Sequence, residues 1–476
     1  MHTWRATGLV FGTSAAVLML EILAGRLMAP YVGVSLDTFT GIIGTMLAGI
    51  AAGAAIGGTL ADRRDPRPLI GPVLIVGGAL CWASLAVLRL VGPSMGTGPA
   101  AVVLLTAAAF LAPVTVLSAV APMIAKLRLD SLAQTGSVVG GLSAAGTVGA
   151  IAGTFFAGFI LVTAVPSRPA VIVIGAILVA VGVVVAWRLG SAASAGAMGA
   201  GLAVAALGAL ALPPPCERET AYFCVNVQED PERASGRSLM LDRVRHAYVD
   251  LDDPTHLELR YVRLIAAVAD ATSSGPVDVL HLGGGGFTYP AYLDTTRPGS
   301  DHVVLEIDPE LLDIAREELG YDPGDGTEIV IGDARLALDE QPAGRFDLVV
   351  GDAFASTAVP WHLTTVEVLD ELRRAMAPDG VYVMNVLDGA DSEFARAQIA
   401  TLQDRFDHVV AILPAGGVPA DRAVNQVLVA SDAPLPELAL DPDDGVELRG
   451  ATLDDYVDGA MVLTDDHAPV DQLLFR

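Results

Sequence analysis

Seven apolar stretches, near residues 7–30, 38–61, 69–91, 99–125, 136–163, 169–188 and 193–213, dominate the first half of this 476-residue chain. Each reaches or approaches the roughly 20 residues that cross a bilayer as a helix. A chain built this way has few options, because lipid leaves every exposed backbone group unsatisfied unless it is paired internally. The charges divide at the same place. Residues 1–213 hold 10 Lys+Arg against 5 Asp+Glu, whereas residues 214–476 hold 18 against 50. The expected fold is therefore a multi-pass α-helical membrane domain of about seven spans, residues 1–213, followed by an acidic water-facing part. Nucleic acid is excluded as a partner, since a surface so negative repels phosphates. The lipid bilayer is an expected one.

Small residues recur every fourth position in the second stretch (Thr45, Gly49, Gly53, Gly57) and the fifth (Gly141, Ala145, Gly149, Gly153, Ala157). Such ladders let helix backbones touch, so these spans should pack on other helices. Arg5, the cluster Arg63, Arg64 and Arg67, Lys126, Arg128 and Arg188 all fall on one side if the N-terminus is cytoplasmic. Seven spans then carry the C-terminal domain to the extracytoplasmic side. Glu21 is the acidic residue lying well inside a span, and two readings compete. An intramembrane carboxylate suggests ion or substrate coupling; a structural pair with Arg26 is the rival. "GGTLADRRDPR", 57–67, resembles the loop between helices two and three of major facilitator transporters, through Gly58, Asp62, Arg63 and Arg67.

Three cysteines are present. Cys81 lies in the third stretch and reads as a packing residue. Cys216 and Cys224 lie eight apart where the acidic part begins, and outside the cytoplasm they could form a disulfide.

Past "PPP" at 213–215, two strand-like runs, "TAYFCVNVQ" and "RSLMLDRVRHAYVDL", read as a β-hairpin within a linker segment 214–252. A helix is expected around 254–272. From there, over 253–476, short apolar strands alternate with helices: "VDVLHL", "HVVLEID", "TEIVIGD", "FDLVVGDAF" and "GVYVMNVL". That alternation predicts an α/β Rossmann-like domain of the S-adenosyl-methyltransferase type, with ligands at the carboxyl ends of its strands. Gly283, Gly284, Gly285 and Gly286 follow the first of these strands, Glu306 and Asp308 the second, Asp333 the third and Asp352 the fourth. Glycines admit a sugar, and successive carboxylates can accept ribose hydroxyls and an adenine amino group. An adenosyl compound fits better than NAD, because no GxGxxG is present. For Asp333 the competing reading is an ordinary helix cap. No metal is implied.

The hairpin followed by "LHLGGGG", "LEIDPE", "IGDAR" and "FDLVVGDAF" resembles the spermidine synthase (polyamine aminopropyltransferase) family. "LDRVRHAYVDLDDP", "DAFASTAVPWHLTTVEVL" and "LTDDHAPVD" resemble its membrane-fused members, the fused facilitator/spermidine synthase type. The resemblance spans roughly residues 217–472. It implies transfer of an aminopropyl group from decarboxylated S-adenosylmethionine to an amine or polyamine. By position, Glu306 would bind ribose, Asp333 the adenine, and Asp352 would take the amine's proton. His246, with Tyr248 beside it, stands near a family hairpin glutamine and is expected to bind the acceptor. A family aspartate that holds the aminopropyl end is replaced by Gly286, and the second active-site acid by Ala355. Asp250, Asp252 and Asp253 are nearby acids that could substitute.

Two functions follow. One is a membrane-bound aminopropyltransferase, or a related S-adenosyl-dependent transferase, whose diamine half is eroded. The other is a non-catalytic extracytoplasmic domain that binds polyamines or nucleosides and is coupled to a transporter-like bundle. The hairpin's exposed faces could also support a homodimer.

Overall fold

The computed structural model describes residues 3–96, 98–129, 135–189, 211–420 and 422–474. The chain divides into two compact units, Met1–Cys224 and Val225–Arg476.

Among the described residues, six helices of the first unit are long and apolar enough to cross a membrane: α1 (Trp4–Val32), α2 (Leu36–Arg63), α3 (Arg67–Ser94), α4 (Pro99–Arg128), α5 (Thr135–Ala164) and α6 (Ser167–Leu189). The seventh expected span, 193–213, lies almost wholly outside the described residues. The small-residue ladders do what their spacing predicts. A Cβ on Gly57 would lie 2.5 Å from the Ala119 carbonyl oxygen, and one on Gly153 would run into the backbone of Ala15. α2 thus meets α4, and α5 meets α1, backbone against backbone.

Arg26 corrects one expectation: it pairs with Glu219, at 3.3 Å, and not with Glu21. Its guanidinium also donates to the carbonyls of Thr220 and Ala221. Glu219 in turn accepts from the Ser167 backbone N–H at 3.0 Å. The reason is chemical: an arginine five residues from Glu21 finds at the helix end a carboxylate and two carbonyls, all acceptors for its fork of donors. Glu21 has no ion pair among the described residues. Cys216 and Cys224 are joined as a disulfide with Cα atoms 5.3 Å apart. At the other ends of α2 and α4, Lys126 Nζ lies 2.7 Å from Asp62.

β1 (Arg218–Glu219) is a two-residue strand. β2 (Cys224–Glu229), β3 (Gly236–Leu241) and β4 (Val244–Asp250) then form an antiparallel meander. The sequence reading made "RSLMLDRVRHAYVDL" one strand, but the chain reverses within it at Asp242, whose φ is +54°. An aspartate tolerates that left-handed conformation better than its apolar neighbours do.

The rest is a doubly covered sheet of eight strands. In chain order they are β5 (Asp278–Leu282), β6 (Asp301–Glu306), β7 (Thr327–Ile331), β8 (Phe346–Gly351), β9 (Met376–Asp388), β10 (His408–Leu413), β11 (Val424–Ser431) and β12 (Val446–Arg449). In space the order is β12-β10-β11-β9-β8-β5-β6-β7. The strands from β9 to β7 pair in parallel, and β9, β11, β10 and β12 pair antiparallel. Alternation sends Leu280 and Leu282 into one core and Val279 into the other. Helix α7 (Arg260–Thr272) buries Leu264, Ile265 and Val268 against the second core. It begins six residues later than expected, because residues 251–259 are taken up by turns.

Candidate active site

The strand order reverses at β5. β6 lies on one side of it and β8 on the other, which opens a crevice at the carboxyl ends of β5 and β8. Gly283 enters that crevice with φ +96°, and a Cβ there would sit 2.7 Å from the Asp352 carbonyl oxygen. Only glycine fits both conditions. Glu306 Oε2 then accepts from Gly284 N at 2.8 Å and Gly285 N at 3.1 Å, while Oε1 accepts from Asp308 N at 2.9 Å. Glu306 is buried, and that burial raises its carboxyl above the ordinary range. Gly285 faces open space. Gly286 does not: a Cβ there would lie 2.5 Å from the Ala247 methyl carbon of β4.

Beside this loop is a cavity of about 120 Å³, lined by Gly283–Gly286, the hairpin residues Arg245–Ala247 and the residues around Asp352. Asp352 follows β8 directly. Asn385 of β9 donates Nδ2 to its Oδ1 at 2.8 Å, and Tyr261, in the first turn of α7, donates to its Oδ2 at 3.0 Å. Asn385 is oriented in turn by Asn425 of β11, whose Nδ2 lies 3.0 Å from the Asn385 Oδ1. Asp352 keeps partial exposure at the cavity wall. Burial pushes its carboxyl up to about 6, against the lowering effect of the Asn385 and Tyr261 hydrogen bonds. The carboxylate is therefore mostly ionised at neutral pH yet able to hold a proton, which is what a general base needs. Burial and the Asp352 charge hold the Tyr261 phenol well above its ordinary range, so it remains a donor.

His246 lines the same cavity, its ring edge-on to Phe354 at 6.2 Å. Burial pushes its imidazole down to about 4, so it is neutral. Tyr248 does not line the cavity; its hydroxyl donates to Asp230 Oδ2 at 2.7 Å within the hairpin. Asp250, Asp252 and Asp253 are also elsewhere, since Asp250 pairs with Arg233 and accepts from the backbones of the other two. Asp308 and Asp333 both act as helix caps: Asp308 accepts from Glu310 N at 3.1 Å, and Asp333 from Arg335 N at 2.9 Å. Asp333 Oδ2 also lies 3.1 Å from His362. Ala355 is exposed, and the turn it opens instead buries its neighbour Ser356 in the cavity wall. No cluster suited to a metal occurs among the described residues.

The comparisons with known proteins bear on the second unit. No family model matches. Over 189 residues the chain is 30% identical to the polyamine aminopropyltransferase of Chromobacterium violaceum, covering 39% of this chain and 71% of that one. The chain belongs to the polyamine aminopropyltransferase family. Within that family, the Vibrio vulnificus enzyme is 27% identical over 213 residues, covering 42% of this chain and 70% of that one. Among solved structures, a probable spermidine synthase from Corynebacterium glutamicum is 26% identical with a TM-score of 0.48, covering 52% of this chain and 95% of that one. In this chain the family's domain follows six helices, among the described residues, that are long and apolar enough to cross a membrane, consistent with a membrane-fused member.

Sequence reasoning reached the glycines, Glu306 and Asp352. It missed Tyr261, Asn385 and Asn425, although two asparagines inside apolar strands were a usable signal.

Proposed function

We propose that the domain transfers an aminopropyl group from decarboxylated S-adenosylmethionine to an amine. The observation that carries this reading is Asp352: one carboxylate, tuned to about 6, fixed at both oxygens and open to a cavity beside the glycine loop. In the reaction, Asp352 accepts a proton from the acceptor ammonium. The freed nitrogen lone pair attacks the carbon attached to sulfur, the C–S bond breaks, and its electrons return to sulfur as a neutral thioether. The residues suit the donor in part. Gly285 leaves room against the loop backbone, and Glu306 still has acceptor capacity for a ribose hydroxyl. No carboxylate stands at Gly286 for the aminopropyl end.

Basic residues at the ends of α2, α4 and α6 support a cytoplasmic N-terminus, and the disulfide between Cys216 and Cys224 supports a non-cytoplasmic position for that segment. Full-length protein in nanodiscs, given the donor and a panel of amines, should release 5′-methylthioadenosine. Asp352→Asn should cut that rate by about 10²- to 10⁴-fold. Amine binding without release would transfer support to the binding-domain reading.

A further inference from the structure

Three apolar side chains stand at two-residue offsets from Asp352 and the two groups that fix it. Phe354 follows Asp352, Leu259 precedes Tyr261 and Leu387 follows Asn385; all three are half-buried and line the cavity. Residues two apart on a strand share a face, so Leu387 stands on the Asn385 face of β9, opposite Asn425 of β11 in register. The acids nearest this wall are committed elsewhere. Asp388, next along β9, falls on the other face, where its two oxygens accept from Gly389 N at 2.7 Å and Ala395 N at 2.8 Å. Glu306 holds the glycine loop, and Asp250 pairs with Arg233. Asp352 is the only carboxylate in the cavity wall among the described residues, and the other charged group there, Arg245, is a cation. A diamine, the acceptor that family resemblance suggests, would bring two ammonium groups to one carboxylate. The second would leave water for a hydrocarbon wall without a counter-charge, which is strongly unfavourable. An alkyl chain in the same place is favoured by its removal from water.

We infer that the acceptor is a primary monoamine with an uncharged alkyl tail, its nitrogen at Asp352 and its carbon chain against Leu259, Phe354 and Leu387. This rests on the transferase reading above and narrows it. The reaction is the same displacement: Asp352 takes a proton from the ammonium, the nitrogen bonds to the aminopropyl carbon, and sulfur keeps the C–S electron pair.

The test uses full-length protein in nanodiscs with decarboxylated S-adenosylmethionine and three acceptors. These are n-butylamine, putrescine (the same four carbons with a second ammonium) and methylamine, which has no tail to bury. Release of 5′-methylthioadenosine should give n-butylamine a kcat/KM at least about tenfold above putrescine. Leu387→Ala and Phe354→Ala should each lower the n-butylamine value about fivefold, as expected for lost contacts with the tail, and leave methylamine unchanged. A merely structural role would lower both monoamines alike and would overturn the inference, as would a putrescine value that matches or exceeds that of n-butylamine. If no amine gives product, calorimetry against protein saturated with 5′-methylthioadenosine separates the two claims. Binding of n-butylamine in preference to putrescine then sustains the acceptor class and overturns catalysis. Preference for putrescine, or no amine binding, overturns the acceptor class itself.

Discussion

Asn385 lies on β9 and Asp352 just past the end of its parallel neighbour β8, and the amide of the first donates to the carboxylate of the second across 2.8 Å. That hydrogen bond favours the ionised form, whereas burial favours the neutral one, and burial wins. Removing the amide should therefore raise the carboxyl further. In Asn385→Ala, the rise of kcat/KM with pH, expected near 6 in the parent, should move upward. A pH–rate profile of both proteins checks this.

Asp352→Asn should separate activity from stability. The folded carboxyl is raised from 3.8 to about 6, so its ionised form is disfavoured in the fold. The associated stability is fully present below about 3.8 and is lost as pH rises through about 6. The variant should therefore melt at a higher temperature than the parent at pH 7, and the difference should close between pH 6 and 4. Tyr261 can keep a partner in the variant, since its hydroxyl also lies 3.2 Å from the His246 carbonyl. Thermal melts across that range decide the matter.

Restoring the family acid at Gly286 should fail on its own. A side chain there collides with Ala247, and overpacking of this kind costs about 1–3 kcal/mol. Gly286→Asp should lower the melting temperature, and Gly286→Asp with Ala247→Gly should recover most of it. Melting and donor affinity measured on both variants form the check.

Gly57→Leu should break the contact of α2 with α4, because even a Cβ would press on the Ala119 backbone. The expected outcome is a large loss of folded, monodisperse protein in detergent. Gly58→Leu, one position round the helix and with only Pro122 Cβ near, at 3.9 Å, should be far milder.

Cys216→Ser opens a link spanning eight positions, and the chain-entropy relation assigns such a link about 2–3 kcal/mol. Reducing and non-reducing melts of parent and variant should differ only for the parent.

The legible part of this protein was what local pattern controls. Apolar length announced the long helices, alternation announced the strands, and acids at strand ends announced the crevice. What stayed hidden depends on partners remote in sequence. Asn425 reaches Asp352 only through Asn385, and Tyr261 does so from a helix some 90 residues away. Asp308 and Asp333 show the opposite limit. A carboxylate between strand and helix caps that helix for local reasons, so position alone does not reveal a second duty. The reversal at Asp242 was hidden because no glycine, proline or asparagine marks a turn in residues 237–251.

The support of Asp352 forms a closed circuit. Arg260 donates to the carbonyls of Asn425 and Asp444, and its neighbour Tyr261 returns to Asp352, which Asn425 also reaches through Asn385. Three sheet strands and a helix thus hold the Asp352 carboxylate, while the wall at Phe354–Ser356 comes from a loop. The two can vary separately. Substitutions in that loop can change which amine is accepted while the basicity of Asp352 is inherited intact, so a lineage with this architecture can diversify its substrates without rebuilding its chemistry.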